Sequence, residues 1–282
     1  MPCLKIIIPK GRLHRQVVEL LNDCGYGIET DERNYIPSVS DAEIEAKLLK
    51  PQNMPRLIEL GSHDAAFCGH DWVMETAADV VEVLDLGFNP VRIVAAVPLV
   101  GKKKKRVPVV AASEYEKLSR RFLEKRYHRY VFIRTFGATE VFPPDDADII
   151  IDNMASGRTL KEHGLKVIAT LLHSSTRFIA DRRALQDPFK RGKIEQMKML
   201  FKAVLDARER VMLEMNVTAS RLAGVVKVLP CMRAPTVSPL FGGKGYAVKT
   251  AIKKHEAAGL ITRLKKMGAS DILETEFRKV VL

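Results

Sequence analysis

Residues 148–164 read DIIIDNMASGRTLKEHG, and the change of character within this stretch decides the architecture. Three isoleucines run into Asp152, small and polar residues follow, and helical character begins near Thr159. A short apolar run that ends on an acid and turns at once into a helix reads as a buried strand of an α/β sheet. Ligands of open α/β sheets bind at that carboxyl edge of the strands. Amides at a helix start point outward and favour an anion. Gly157 lets a phosphate approach the backbone, and Ser156 and Thr159 offer hydroxyl donors. Asp152 repels phosphate but can accept hydrogen bonds from the neighbouring hydroxyls of a sugar. The pattern suits a sugar phosphate, with acid to ribose and amides to phosphate. It equally describes an ordinary helix N-terminus capped by Ser156, with Asp152 an incidental strand end. No Gly-Lys-Ser/Thr follows, so this is not a Walker loop.

PKGRL at 9–13 is a second strand-to-helix corner, with Lys10, Gly11 and Arg12 at the edge. Two cations beside a flexible glycine suit a pyrophosphate or triphosphate, or form a plain basic turn. Other constellations carry less. His63, Cys68, His70 and Asp71 match no standard metal spacing, and HSSTR at 173–177 offers hydroxyls of a kind common at strand edges. No nucleophile elbow, dinucleotide fingerprint or zincin helix is present.

A chain of 282 residues implies two or three domains. The net charge of +12 suggests an anionic partner, and GKKKKR at 101–106 reads as a solvated turn between strands. Only 6% of residues are aromatic and none interleave with basic residues as in a known nucleic-acid module, so nucleic acid is not the expected partner. The four cysteines lie far apart, as reduced thiols do. The apolar run in MPCLKIIIPKGRL is too short for a signal peptide, and no run reaches the roughly 20 residues of a membrane span. A cytoplasmic protein without membrane contact is expected.

Strands and helices alternate through the first ninety residues and again from VRIVAAVP onward, which predicts mainly parallel sheets covered on both faces. Two α/β lobes around a cleft result, lobe I from 1–91 and 181–209 and lobe II from 92–180. Residues 210–282 read strand, helix, two strands flanking GGKG, helix and strand. That βαββαβ order makes a ferredoxin-like module of a regulatory or pairing kind.

With IPKGRL, LKPQNMPRLIELGSHDAAFCGHDW, VLDLGFNPVRIVAAVP, FGATE, IDNMASGRTLKEHGL, SSTRFIA, and LEMNV with APTVSPL in this order, nearly the whole chain resembles the long, regulated form of ATP phosphoribosyltransferase. The resemblance implies an α/β fold: a two-lobed, periplasmic-binding-protein-like catalytic unit followed by an ACT-like ferredoxin domain. It implies transfer of the phosphoribosyl group of phosphoribosyl pyrophosphate (PRPP) to N1 of ATP, with magnesium held largely through the substrate phosphates. Asp152, Ala155, Ser156, Gly157, Arg158 and Thr159 match the family's PRPP turn. Lys10, Gly11, Arg12, Lys50, Asp85, Arg92 and Glu140 match positions expected near ATP or pyrophosphate. Asn216, Met232, Thr236, Ala251 and Asp271 fall where histidine is expected as a feedback inhibitor, in a protein that assembles as dimers and hexamers. Ser156 stands where the family often has Thr, and Ala155 where it has Ser or an acid. Between Glu140 and Asp152 this chain is one residue shorter than many members and lacks their glycine, which should alter the local backbone. Two alternatives are a C-terminal module that only supports assembly and a non-catalytic two-lobed binding protein.

Overall fold

The apolar runs become strands, and the stripes at helical spacing become helices that cover them. A computed structural model describes residues 2–29, 35–99, 107–232 and 234–282. The basic run at 101–106 lies outside the described residues. The chain divides into two compact units, Met1–Glu195 and Gln196–Leu282. The division falls inside the helix Pro188–Arg208, which the sequence reading assigns whole to lobe I.

The first unit holds two five-stranded sheets. In the first, β1 (Leu4–Pro9) leads through α1 (His14–Cys24) and the small hairpin β2 (Ile28–Glu29) and β3 (Ser38–Val39) to β4 (Ile44–Leu49). Helix α1 turns Val17, Leu20, Leu21 and Cys24 inward and stops at Gly25 in the left-handed conformation. A short α2 (Met54–Glu59) precedes β5 (Ala65–Gly69), α3 (His70–Thr76) and β6 (Val81–Asp85). In the second sheet stand β7 (Val91–Pro98), β8 (Val109–Ser113), β9 (Tyr130–Arg134), β10 (Ile149–Met154) and β11 (Leu165–Ser174), with α4 (Glu116–Glu124) and α5 (Arg158–Glu162) between them. After β11 the chain crosses back as β12 (Thr176–Ala180) into the first sheet, whose order is β4-β1-β5-β12-β6. The second is β11-β7-β10-β8-β9.

Three expectations are corrected here. The sheets are mixed: β12 runs antiparallel to β5 and β6, and β7 antiparallel to β10 and β11. The strands that carry the chain between lobes enter each sheet against its parallel set. Residues 176–180 therefore pair in the first sheet and not with lobe II. Helix α3 is absent from the sequence reading because its seven residues are too few to show a period. Its Trp72 packs into the core of the second sheet, while Val73 packs into that of the first.

The second unit begins with α6 (Pro188–Arg208), whose first residues belong to the first unit. It continues β13 (Arg210–Val217), α7 (Ala219–Val228), β14 (Thr236–Pro239), β15 (Tyr246–Lys253), α8 (Ala257–Lys266) and β16 (Ser270–Glu276). The antiparallel order β14-β15-β13-β16 is that of a ferredoxin-like βαββαβ module. Alternate β13 residues Val211, Leu213, Met215 and Val217 are buried with Val225, Leu260 and Leu264. Each such side chain contributes roughly 1.5–3 kcal/mol by leaving water.

Candidate active site

The buried run Ile149–Ile151 fixes the register that builds the site. Strand β10 pairs with parallel β8 so that Ile151 stands opposite Ser113. One step further the side chains of Asp152 and Glu114 face a cavity of about 320 Å³. The turn Gly137–Glu140, the segment Asn153–Gly157, Thr159, Leu160 and Arg12 complete its wall. Burial pushes the Asp152 carboxyl up to about 6; its bond from the Asn153 amide opposes this, and the charges of Glu140 and Glu114 reinforce it. That amide lies 2.7 Å from Oδ1. Glu114 is also raised, by burial, against the pull of Arg134, Gln52 and Lys50.

The turn after Asp152 is shaped for close approach to its backbone. Gly157 sits at φ 81°, and a Cβ there would stand 3.0 Å from the Met154 sulfur. The carbonyls of Gly157 and Thr159 are taken by the amides of Lys161 and His163. Among the described residues, no protein acceptor takes the amides of Ser156, Gly157 or Thr159. Asp152, Ala155, Ser156, Gly157 and Thr159 all line the cavity. Arg158 does not: its Nε binds Glu162 at 2.7 Å, four residues along the helix, with the side chain 83% exposed. The turn points the Arg158 side chain to solvent, so only the backbone of residue 158 adjoins the rest of the turn.

Two further cavities continue the first. One, of about 150 Å³, is lined by Lys10, Arg12, Glu114 and Asn153 together with Trp72 and Ser174–Thr176. The other, of about 340 Å³, is lined by Asp85, Arg92, His173, Ser175 and Arg177 on the far side of Met154 and Ala155. Arg12, Glu114 and Asn153 belong to the first two, Ser174 and Ser175 to the last two, and Met154 and Ala155 to the outer two. One continuous cleft therefore runs between the sheets, and the two strand-edge corners of the sequence face it from opposite sides.

The remaining expected residues are placed as follows. Lys10 Nζ lies 3.4 Å above the Tyr35 ring. Gly11 has φ 83°. Asp85 accepts Ser175 Oγ at 2.7 Å and the Gly87 amide at 2.9 Å, and pairs with Arg177. Lys50 lines none of the three cavities and reaches the site only through its charge on Glu114. Glu140 keeps its place in the cavity despite the short segment after it, because the 3₁₀ turn Thr139–Val141 and the bonds of the Asp146 and Ala147 amides to Phe142 fold that segment tightly.

The His63, Cys68, His70 and Asp71 set does not come together as a metal site. Cys68 is buried, which pushes its thiol up, His70 Nδ1 pairs with Glu82 at 2.6 Å, and Asp71 is bound by Ser174 and Tyr115. Among the described residues no group of three His, Cys, Asp or Glu could hold an ion alone. In the second unit Asn216 Nδ2 donates to Asp271 at 2.8 Å. Thr236 lies on β14 and Asp271 at β16, the two opposite edges of the sheet, with Ala251 on β15 between them and Met232 in the segment before β14. The strand order keeps these five from meeting at one edge. FGATE and IDNM are among the motifs read in the sequence, yet no site role was assigned there to Glu114, Asn153 or Gly137–Thr139. Glu114 carried a usable signal, since it follows the buried strand VPVVAAS as Asp152 follows its isoleucines.

Comparisons with known proteins bear on the family and the fold. A family model described as ATP phosphoribosyltransferase matches residues 50–203, and one described as HisG, C-terminal domain, matches 207–279. ATP phosphoribosyltransferases of Chlorobium phaeovibrioides and Pelotomaculum thermopropionicum are each 36% identical, over 99% of this chain and 97% and 99% of their own. A solved chain of the ATP phosphoribosyl transferase (HisG:HisZ) complex from Thermotoga maritima shares the fold at TM-score 0.63 and 23% identity, covering 71% of this chain and 98% of that one. Among the described residues no helix is long and apolar enough to cross a membrane. The chain belongs to the ATP phosphoribosyltransferase family, in the long form that carries the C-terminal domain, and is a transferase.

Proposed function

We propose that the cleft transfers the phosphoribosyl group of PRPP to N1 of ATP, releasing pyrophosphate and forming phosphoribosyl-ATP in the first step of histidine biosynthesis. The observation that carries this reading is the turn at 152–159, whose unclaimed amides and two hydroxyls adjoin a half-buried carboxylate in one cavity. The amides of Ser156, Gly157 and Thr159 take the 5-phosphate, and ionised Asp152 accepts the ribose hydroxyls. Attack by N1 forms a bond to the anomeric carbon as the bond to the pyrophosphate oxygen breaks, so positive charge develops on the sugar and negative charge on the departing group. Asp152, Glu140 and Glu114 face the first, and Lys10 and Arg12 the second. No nucleophile or strong base is required, and positioning of the two substrates supplies much of the rate.

Magnesium fits this donor set. The cavity's three carboxylates are hard oxygen ligands, of which magnesium takes one or two beside waters and substrate phosphates. When bound, it neutralises charge on the departing pyrophosphate. The second unit, with Asn216 and Asp271 joined at one sheet edge, is the place we assign to histidine as a feedback inhibitor. The assembly we assign is a homo-oligomer, dimeric or hexameric, in the cytoplasm. The test is to supply the full chain with ATP, PRPP and magnesium and follow pyrophosphate and phosphoribosyl-ATP, with and without histidine. Equal release of both products, suppressed by histidine, is expected. Absence of pyrophosphate with both substrates present overturns the reading.

A further inference from the structure

Two motifs remain outside this chemistry, the GHDW corner at 69–72 and the HSST segment at 173–176. They meet at Asp71, which is 6% exposed. Its carboxylate accepts the Ser174 hydroxyl at 2.6 Å and the Tyr115 hydroxyl at 2.8 Å, and its amide donates to Ser174 Oγ at 3.0 Å. The three residues come from the start of α3, the corner between β8 and α4, and the crossover from β11 to β12. The Trp72 and Tyr115 rings stack beside these bonds with centroids 4.7 Å apart. Burial and the neighbouring Asp71 carboxylate both raise the Tyr115 phenol, which keeps it a donor. The carboxylate folds back over the chain so closely that a Cβ on Gly69 would stand 2.1 Å from Oδ1. A side chain at that position would have to displace the carboxylate.

Asp71, Tyr115 and Ser174 themselves border the second cavity, and each hydroxyl partner also has a neighbour in the cleft. Glu114 precedes Tyr115 and faces the first two cavities, and Ser175 follows Ser174 and faces the last two. Glu75 gives a contrast on the same helix. It is 8% exposed and accepts the Lys117 and Leu118 amides at 2.9 and 3.0 Å, so it too ties α3 to α4. It lines none of the three cavities.

We propose that Asp71 is a positioning residue for the transfer reaction, holding Glu114 and Ser175 at their places in the cleft through the hydroxyls of Tyr115 and Ser174. This rests on the phosphoribosyl-transfer reading above. Short bonds to a carboxylate fix both geometry and distance, so one acceptor shared by two segments sets their separation. Releasing it shifts groups that act on the reacting sugar, which slows the chemical step more than it weakens substrate binding.

The test compares Asp71→Asn and Tyr115→Phe with Glu75→Gln in the full chain, measuring kcat, KM for PRPP and Tm. Asp71→Asn should lower kcat about tenfold or more, and Tyr115→Phe severalfold, with KM within about threefold of the unchanged protein. Glu75→Gln should lower Tm and leave kcat as it was. Unchanged kcat in the first two variants, or an equal loss of kcat in Glu75→Gln, overturns the proposal and leaves Asp71 a structural tie. Should Asp71→Asn fail to fold, Tyr115→Phe, which lacks a single oxygen, decides by the same criterion. Absence of pyrophosphate release by the unchanged protein is seen before any variant is compared and overturns the transfer reading itself.

Discussion

Glu114 and Asp152 stand side by side near the carboxyl ends of adjacent parallel strands, one step beyond the pair Ser113 and Ile151, and face one cavity. Burial first, then the charges of Glu140 and Glu114, lift Asp152 to about 6 against the bond from Asn153. With the ionised form proposed to accept the ribose hydroxyls, kcat/KM for PRPP should fall as pH drops through about 6. A pH profile of kcat/KM, set against a profile for Glu114→Gln, checks this: the inflection should move down in the variant, and an unmoved one contradicts the coupling.

The same shift bears on stability. Between about pH 4 and pH 6 the folded protein keeps the Asp152 proton while the unfolded chain has lost it, so stability falls as pH rises through that window. Asp152→Asn should therefore stabilise the free protein near pH 7 by ~2 kcal/mol while crippling use of PRPP. Denaturant unfolding at pH 4 and pH 7 checks the sign, since the gain should shrink at the lower pH.

Arg12 and Arg158 separate the cleft from its surroundings. Arg12 lines two of the cavities, whereas Arg158 pairs with Glu162 at the surface. Arg12→Ala should weaken transition-state stabilisation by about 1.5–3 kcal/mol, the worth of a charged hydrogen bond. Arg158→Ala should leave kcat/KM within about twofold, since an exposed pair of this kind contributes little. Steady-state kinetics with each substrate varied decides both.

Asn216 and Asp271 form one contact at the edge of the C-terminal sheet, and their bond, with that from Ser270, holds Asp271 below the usual carboxylate range. Asp271→Ala should relieve inhibition by histidine without changing the uninhibited rate. Dose–response curves for histidine on both proteins check it, and superimposable curves would move the effector site elsewhere.

Much of this was legible in the sequence where a single period or a single edge carried the signal. The isoleucine run before Asp152, the stripe of α1 ending at Gly25 and the βαββαβ order of the last unit each depend on residues close together in the chain. What depended on distant partners was not legible. The antiparallel entry of β12 beside β5 is a matter of topology, not of the apolar run TRFIA itself. The outward turn of Arg158 follows from a partner four residues on, and Asp71 looked like a poor metal ligand because Tyr115 and Ser174 are far from it in sequence. Glu114 was within reach, since the rule applied to Asp152 also selects it.

The most direct measurement is calorimetric titration of ribose 5-phosphate into the unchanged protein and into a Ser156→Ala, Thr159→Val double variant, at fixed pH and salt. With the phosphate held by the turn after Asp152, one molecule should bind per chain, and the variant should bind it about tenfold or more weakly for two lost hydroxyl donors. Equal affinity in the two proteins would place the phosphate elsewhere and contradict the account.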